Sequence, residues 1–119
     1  MIAIYDQISS LLAPAPFLFS SEIELQDAIA RAFAREGIAF EREVHLGEPG
    51  NIDFMIGDVG IEIKVKGGLS AITRQLHRYA ACERIQGLLL VTTKMQHDAL
   101  PDSLNGKPLR VIHLIGTVL

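Results

Sequence analysis

The chain has a single cysteine, Cys82, so neither an internal disulfide framework nor a cysteine-rich zinc module is open to it. Cys82 itself reads as a small core residue. The four histidines, His45, His77, His97 and His113, show no paired ligand spacing, which sets aside a zinc site built on them. No glycine-rich phosphate loop or dinucleotide fingerprint is present, and no nucleotide cofactor is expected. Gly57-x-x-Gly60 and Gly67-Gly68 are better explained as turns. An excess of positive charge is also lacking: the formal net charge is −3, which does not announce a tight, non-specific nucleic-acid binder. The opening stretch, MIAIYDQISSLLAPAPFLF, has no basic leader, and Asp6 interrupts its apolar run. It reads as neither a signal peptide nor a membrane span, and a reducing, cytosol-like compartment is expected.

What remains is a globular composition, 49% hydrophobic and 21% charged over 119 residues, which suits one domain with a proper core. The charge is unevenly placed. Between Ile61 and Arg84 the chain carries Lys64, Lys66, Arg74, Arg78 and Arg84, with His77, against only Glu62 and Glu83. A polyanion is expected to meet this segment first.

The most informative stretch is Asn51 to Lys66, NIDFMIGDVGIEIKVK. Apolar residues alternate through Ile52, Phe54 and Ile56, and again through Ile61, Ile63 and Val65. Two strands joined by Gly57-Asp58-Val59-Gly60 would place these six on one buried surface. Asp53 and Met55, with Glu62, Lys64 and Lys66, then share the other face. A symmetric turn would set Ile56 across from Ile61, Met55 across from Glu62 and Asp53 across from Lys64, with Glu62 on the diagonal. Two carboxylates and an ammonium would converge there, and carboxylate oxygens are what Mg2+ prefers.

The flanking elements follow from periodicity and caps. Ile2 to Leu12 suits a short helix stopped by Pro14 and Pro16, and Phe17-Leu18-Phe19 needs cover from the domain or from a second subunit. Residues 1–19 are therefore expected to form an N-terminal arm, a candidate for homodimer contact. Ser21 and Glu24 make an S-x-x-E capping box and Gly37 a terminator, and Leu25, Ile29, Ala32 and Phe33 form the inward stripe between them. Glu22 heads that stripe, where a carboxylate needs a metal or a basic partner, or else complements the helix dipole. Ile38–Leu46 reads as a strand, Leu69 or Ser70 to Ile85 as a helix, and Gly87–Thr93 as a central strand covered on both sides. Met95–Lys107 reads as a loop or a short helix plus loop, and Leu109–Leu119 as a last strand. The expected class is α/β (α+β): a mixed sheet flanked by helices in the order α-β-β-β-α-β, with a further strand after it.

A helix carboxylate (Glu22), an aspartate on a strand (Asn51-Ile52-Asp53) and Glu62-Ile63-Lys64 on the next strand resemble the PD-(D/E)XK nuclease superfamily, which includes restriction endonucleases and Holliday-junction resolvases. The likeness spans about residues 20–95. It departs from that pattern in Ile52, where proline is common, and in the placement of Glu22 relative to its helix end. The resemblance implies a restriction-endonuclease-like core and a Mg2+- or Mn2+-dependent endodeoxyribonuclease. Asp53, Glu62, the Ile63 carbonyl and Glu22 would hold the metal. Lys64 would orient the attacking water, and Gln75, on the following helix, would hold that water or a phosphate oxygen. Lys66, Arg74, His77 and Arg78 would contact the DNA backbone, with branched or flapped DNA as one substrate and a homodimer as the assembly.

Blander readings stand beside these. Asp53, Glu62 and Lys64 could form a solvated cross-strand ion pair worth about 0.2–1 kcal/mol. Gln75, Arg74, Arg78 and His77 could be ordinary exposed helix positions. The rival function is a nuclease-like domain that binds nucleic acid or protein without cutting, and a third is a structural α/β domain.

Overall fold

The computed structural model describes residues 2–115 and 117–118, with the backbone alone for Ile2, Thr117 and Val118. In chain order the elements are α1 (Ile2–Leu12), β1 (Leu18–Phe19), α2 (Glu22–Arg35), β2 (Glu41–His45), β3 (Asn51–Ile56), β4 (Val59–Lys64) and α3 (Leu69–Ala80). Then come β5 (Gly87–Thr92), a 3-10 turn (Met95–Ala99), β6 (Ser103–Leu104), β7 (Lys107–His113) and β8 (Thr117–Val118). Six strands make one mixed sheet in the order β2-β3-β4-β5-β7-β6, and β1 pairs with β8 separately. The first three strands are antiparallel, β4, β5 and β7 run parallel, and β6 closes the edge antiparallel to β7. This is the mixed α/β class expected. No helix among the described residues is long and apolar enough to cross a membrane.

Each face of the sheet has its own apolar layer. On one face Leu25, Ile29, Ala32 and Phe33 of α2 pack with Phe54, Ile61, Ile63, Leu89 and Val91. On the other, Ile72, Leu76, Tyr79 and Ala80 of α3 pack with Met55, Leu88 and Leu90. β5 lies between β4 and β7 with all six residues buried, which is why its sequence is an unbroken apolar run. The cap of α2 forms as its residues dictate: Ser21 Oγ accepts from the Glu24 N–H at 3.2 Å. The Glu24 carboxylate turns back to the Ser20 N–H at 2.8 Å and its hydroxyl at 2.6 Å. Gly37 takes φ +69 just past the helix end, as a left-handed stop requires.

The N-terminal segment is a layer of the core and not an arm. Tyr5, Ile8 and Leu12 of α1 are buried with α2, and Phe17 and Phe19 are buried in the same cluster. Dimerisation through Phe17-Leu18-Phe19 would therefore fall to Leu18, which remains 62% exposed.

Other boundaries differ for identifiable reasons. β2 begins at Glu41 and not Ile38. α3 ends at Ala80, five residues before the expected limit, through tight turns from Ala81 and Cys82 back to Arg78 and Tyr79. Ending there brings Ile85 into the core beside Leu88. β6 sits in the stretch expected as loop, and Asn105 (φ +53) and Gly106 (φ +76) form its turn to β7. Asn-Gly is the pair that a two-residue hairpin with both residues at positive φ prefers. The expected last strand stops at His113, with the two-residue β8 beyond it; Gly116 and Leu119 lie outside the described residues.

The central hairpin also closes more tightly than symmetry about Gly57–Gly60 implies. Ile56 pairs with Val59, Met55 with Gly60 and Phe54 with Ile61, leaving Gly57-Asp58 as a two-residue turn with Gly57 at φ +59. Gly60 is consequently a strand residue. A Cβ built there would lie 2.5 Å from Ile52 Cδ1 and 3.3 Å from both Ile85 Cδ1 and Leu88 Cδ2. Gly60→Ala is expected to destabilise the fold by about 1–3 kcal/mol through overpacking, read as a lower urea midpoint with an unchanged slope.

Candidate functional site

β3 does not keep a regular pleat. Arg42 pairs with Phe54 and Val44 with Ile52, but Ile52 lies in the α3-side layer and Phe54 in the α2-side layer. Two residues that a pleat would place together are thus on opposite faces, so the strand turns over at Asp53. The expectation that all six alternating apolar residues share one surface therefore fails at Ile52. Glu43, between Arg42 and Val44 on the neighbouring strand, adopts φ +51, a conformation uncommon for a residue with a side chain.

Where β3 turns over, its side chains take over pairing with β4. The backbone ladder between the two strands ends at Phe54 and Ile61. Beyond that point the Asp53 N–H donates to Glu62 Oε1 at 3.3 Å, and the Ile63 N–H donates to Asp53 Oδ2 at 2.8 Å. The tight turn thus brings Asp53 opposite Glu62, not opposite Lys64 as symmetric closure predicts. Both acids are buried, Asp53 9% exposed and Glu62 3%. Lys64 Nζ stands 3.9 Å from Glu62 Oε2, an ion-pair distance too long for a hydrogen bond, with about a quarter of its side chain in solvent.

Three further side chains complete the surroundings. Glu22 at the start of α2 is half-buried and accepts from the Val65 N–H at 3.1 Å, beside the end of β4. Gln26, one turn later, is buried and donates through Nε2 to Asp53 Oδ1 at 2.8 Å. From the other face, Tyr79 OH donates to the Asn51 carbonyl at 2.8 Å, lies 3.4 Å from Glu62 Oε2, and accepts from Gln75 Nε2 at 3.0 Å. Gln26 and Tyr79 were not among the expected site residues. For Gln26 the signal was present, because it follows Glu22 by four positions on the inward stripe of α2, where an amide is out of place without a partner. Tyr79 is a core residue of α3 whose hydroxyl reaches Glu62 as well.

The electrostatics follow from burial. Loss of water raises Glu62 first, the Asp53 charge raises it further, and Lys64 only partly compensates, so its carboxyl is pushed up to about 9. Burial also raises Asp53, against the lowering effect of the Ile63 N–H. Both shifts run the same way because two adjoining buried carboxylates resist ionising together. A divalent cation would neutralise the same pair. Mg2+ is commonly held by one or two carboxylates, with water and substrate phosphate filling its shell, and Asp53 with Glu62 is a donor set of that size. Among the described residues no three His, Cys, Asp or Glu side chains are spaced as a protein-only metal cage. Glu22 is engaged with Val65, and the described role of Ile63 is its N–H bond to Asp53.

A cleft of about 90 Å³ opens beside this group, lined by Lys64, Lys66 and Gln75. Lys66 is exposed where it lines this cleft; Arg74, His77 and Arg78 are exposed on α3, and Arg78 lines a separate hollow with Glu48 and Pro49. A larger hollow of about 460 Å³ lies elsewhere, near Tyr5 and Pro108; Arg110 there pairs with Asp6 and Asp98 with His113, and Asp102 lines it as well. Of the expected site residues, Lys64, Lys66 and Gln75 line the smaller cleft. No protein-family model, curated protein or solved structure matches the chain.

Proposed function

We propose that the chain is a divalent-cation-dependent endodeoxyribonuclease of the PD-(D/E)XK kind, working in a reducing, cytosol-like compartment, with branched or flapped DNA as a substrate class. The observation that carries this reading is the placement of two buried acids side by side with a lysine ammonium 3.9 Å from one of them, that lysine lining a cleft together with the exposed Lys66. A solvated ion pair on a strand face would leave the acids in water, whereas burial of this pair raises the affinity of both for a proton or a cation.

Asp53 and Glu62 would hold Mg2+ or Mn2+, which when bound supplies Lewis-acid activation of phosphate and water. Lys64 is free enough to orient a water and to offset negative charge on the phosphate as it is attacked. Gln75 lines the cleft and carries the Tyr79 hydroxyl, so it can hold a phosphate oxygen while Tyr79 fixes the outer side of Glu62. Lys66, Arg74, His77 and Arg78 would grip the flanking backbone without reading its sequence. Cleavage gives an ordinary hydrolysed phosphodiester.

The test is incubation of purified protein with supercoiled, single-stranded and four-way-junction DNA, in Mg2+, Mn2+ or EDTA, beside Asp53→Asn. Cutting that needs the cation and Asp53 is the expected result. Binding without cutting in any cation would replace this reading with the inactive nuclease-like module, a rival favoured by the engagement of Glu22 with the Val65 N–H, which leaves no group of three ligating side chains among the described residues.

A further inference from the structure

Gln26 is 5% exposed, on a helix face otherwise filled by Leu25, Ile29, Ala32 and Phe33. Its Nε2 lies 2.8 Å from Asp53 Oδ1, and its Oε1 is buried with no hydrogen-bond partner among the described residues. A buried amide oxygen left in this way costs about 1–3 kcal/mol. The cost is confined to one place: the two heteroatoms of an amide are about 2.3 Å apart, so Oε1 lies within about 5 Å of the Asp53 carboxylate. Meanwhile each oxygen of Asp53 already accepts one hydrogen bond, from Gln26 and from the Ile63 N–H. A carboxylate pinned at both oxygens cannot rotate, and its remaining lone pairs point in a set direction.

We infer that Gln26 is a positioning residue for a divalent cation, fixing Asp53 through Nε2 and offering Oε1 to a water of the ion's hydration shell. This rests on the metal-dependent reading above. It supplies what the two-acid donor set lacks, because an ion held by only two protein carboxylates keeps most of its waters, and those waters need acceptors. Gln26 reaches the ion from α2, while Asp53 and Glu62 reach it from the hairpin, so the helix and the sheet are tied to one site.

The test is Mn2+ titration of the DNA-free protein by calorimetry, comparing the parent with Gln26→Met, Gln26→Leu, Asp53→Asn and Ile29→Val. Gln26→Met and Gln26→Leu are expected to bind Mn2+ about 10–100-fold more weakly. Ile29→Val, one turn further along the same stripe and fully buried, loosens the same core and should stay within twofold of the parent. Circular dichroism selects a temperature at which every variant is folded; if one Gln26 variant fails to fold, the other carries the comparison. Gln26 variants within twofold of the parent, or weakened no more than Ile29→Val, would overturn the assignment of Gln26 alone if Asp53→Asn still loses binding. A parent that does not bind Mn2+ would overturn this assignment and the metal-dependent reading together.

Discussion

Lys64→Ala is expected to reduce DNA cleavage by at least about 100-fold while shifting the melting temperature by no more than a few degrees. The expectation comes from what Lys64 touches. Its ammonium lies 3.9 Å from Glu62 Oε2, has no hydrogen bond to the backbone, and keeps about a quarter of its side chain in water. An ion pair of this length and exposure contributes little to folding. The same ammonium is the cation paired with buried Glu62, so on the proposed function removing it would take away the group that orients water and offsets charge at the phosphate. Lys64→Arg retains the charge but spreads it over a planar fork, and should recover only part of the rate. Steady-state cleavage in Mg2+, with melting followed in parallel, checks both halves. Cutting within threefold of the parent would remove Lys64 from the chemistry.

The second large effect is on stability as a function of pH. In EDTA the protein is expected to lose stability steadily as pH rises from about 5 to about 9. Glu62 has an ordinary value of 4.5 in the unfolded chain and is pushed up to about 9 in the fold, by burial first and by Asp53 second. Between those values the folded protein keeps a proton that the unfolded chain has already released. Raising the pH therefore favours unfolding, with a slope of up to about 1.4 kcal/mol per pH unit, and the decline ends once Glu62 ionises in the fold. Asp53 is raised in the same direction and steepens the acidic end of that window. Divalent cations act oppositely, because they displace the proton: added Mn2+ should raise the melting temperature little at pH 5 and progressively more toward pH 9. Glu62→Gln has no proton to hold and should flatten the decline. Melting curves at unit pH intervals, with and without Mn2+, decide the matter; a profile that rises with pH in EDTA would contradict it.

Much of this was legible before any coordinates. The inward stripe of α2, its serine cap, the alternation that makes β3 and β4, and the apolar run of β5 each follow from local rules, and those elements form where the rules place them. The register of the central hairpin was not legible, because Gly57-Asp58-Val59-Gly60 offers two ways to close. Packing favours the tighter one: Gly60 lies inside the strand, where a Cβ would push against the side-chain ends of Ile52, Ile85 and Leu88. That choice moves Asp53 from opposite Lys64 to opposite Glu62. The reversal at Asp53 was equally hidden, since period-two alternation assumes an unbroken pleat and Ile52 obeys the pattern while lying on the other face. The short β6 was readable from Asn105-Gly106 and was missed because the strand before the turn is only two residues long.

The exchange of ladder bonds for side-chain bonds at Asp53 also bears on how related chains should be interpreted. Here the two acids close the hairpin, one receiving the Asp53 amide and the other the Ile63 amide, quite apart from any ion. If the proposed function holds, a descendant that had given up catalysis would still need both to keep its sheet zipped. Persistence of the aspartate and glutamate would thus be uninformative about activity, whereas the lysine side chain, which closes no part of the hairpin, is the position whose loss would mark an inactive relative.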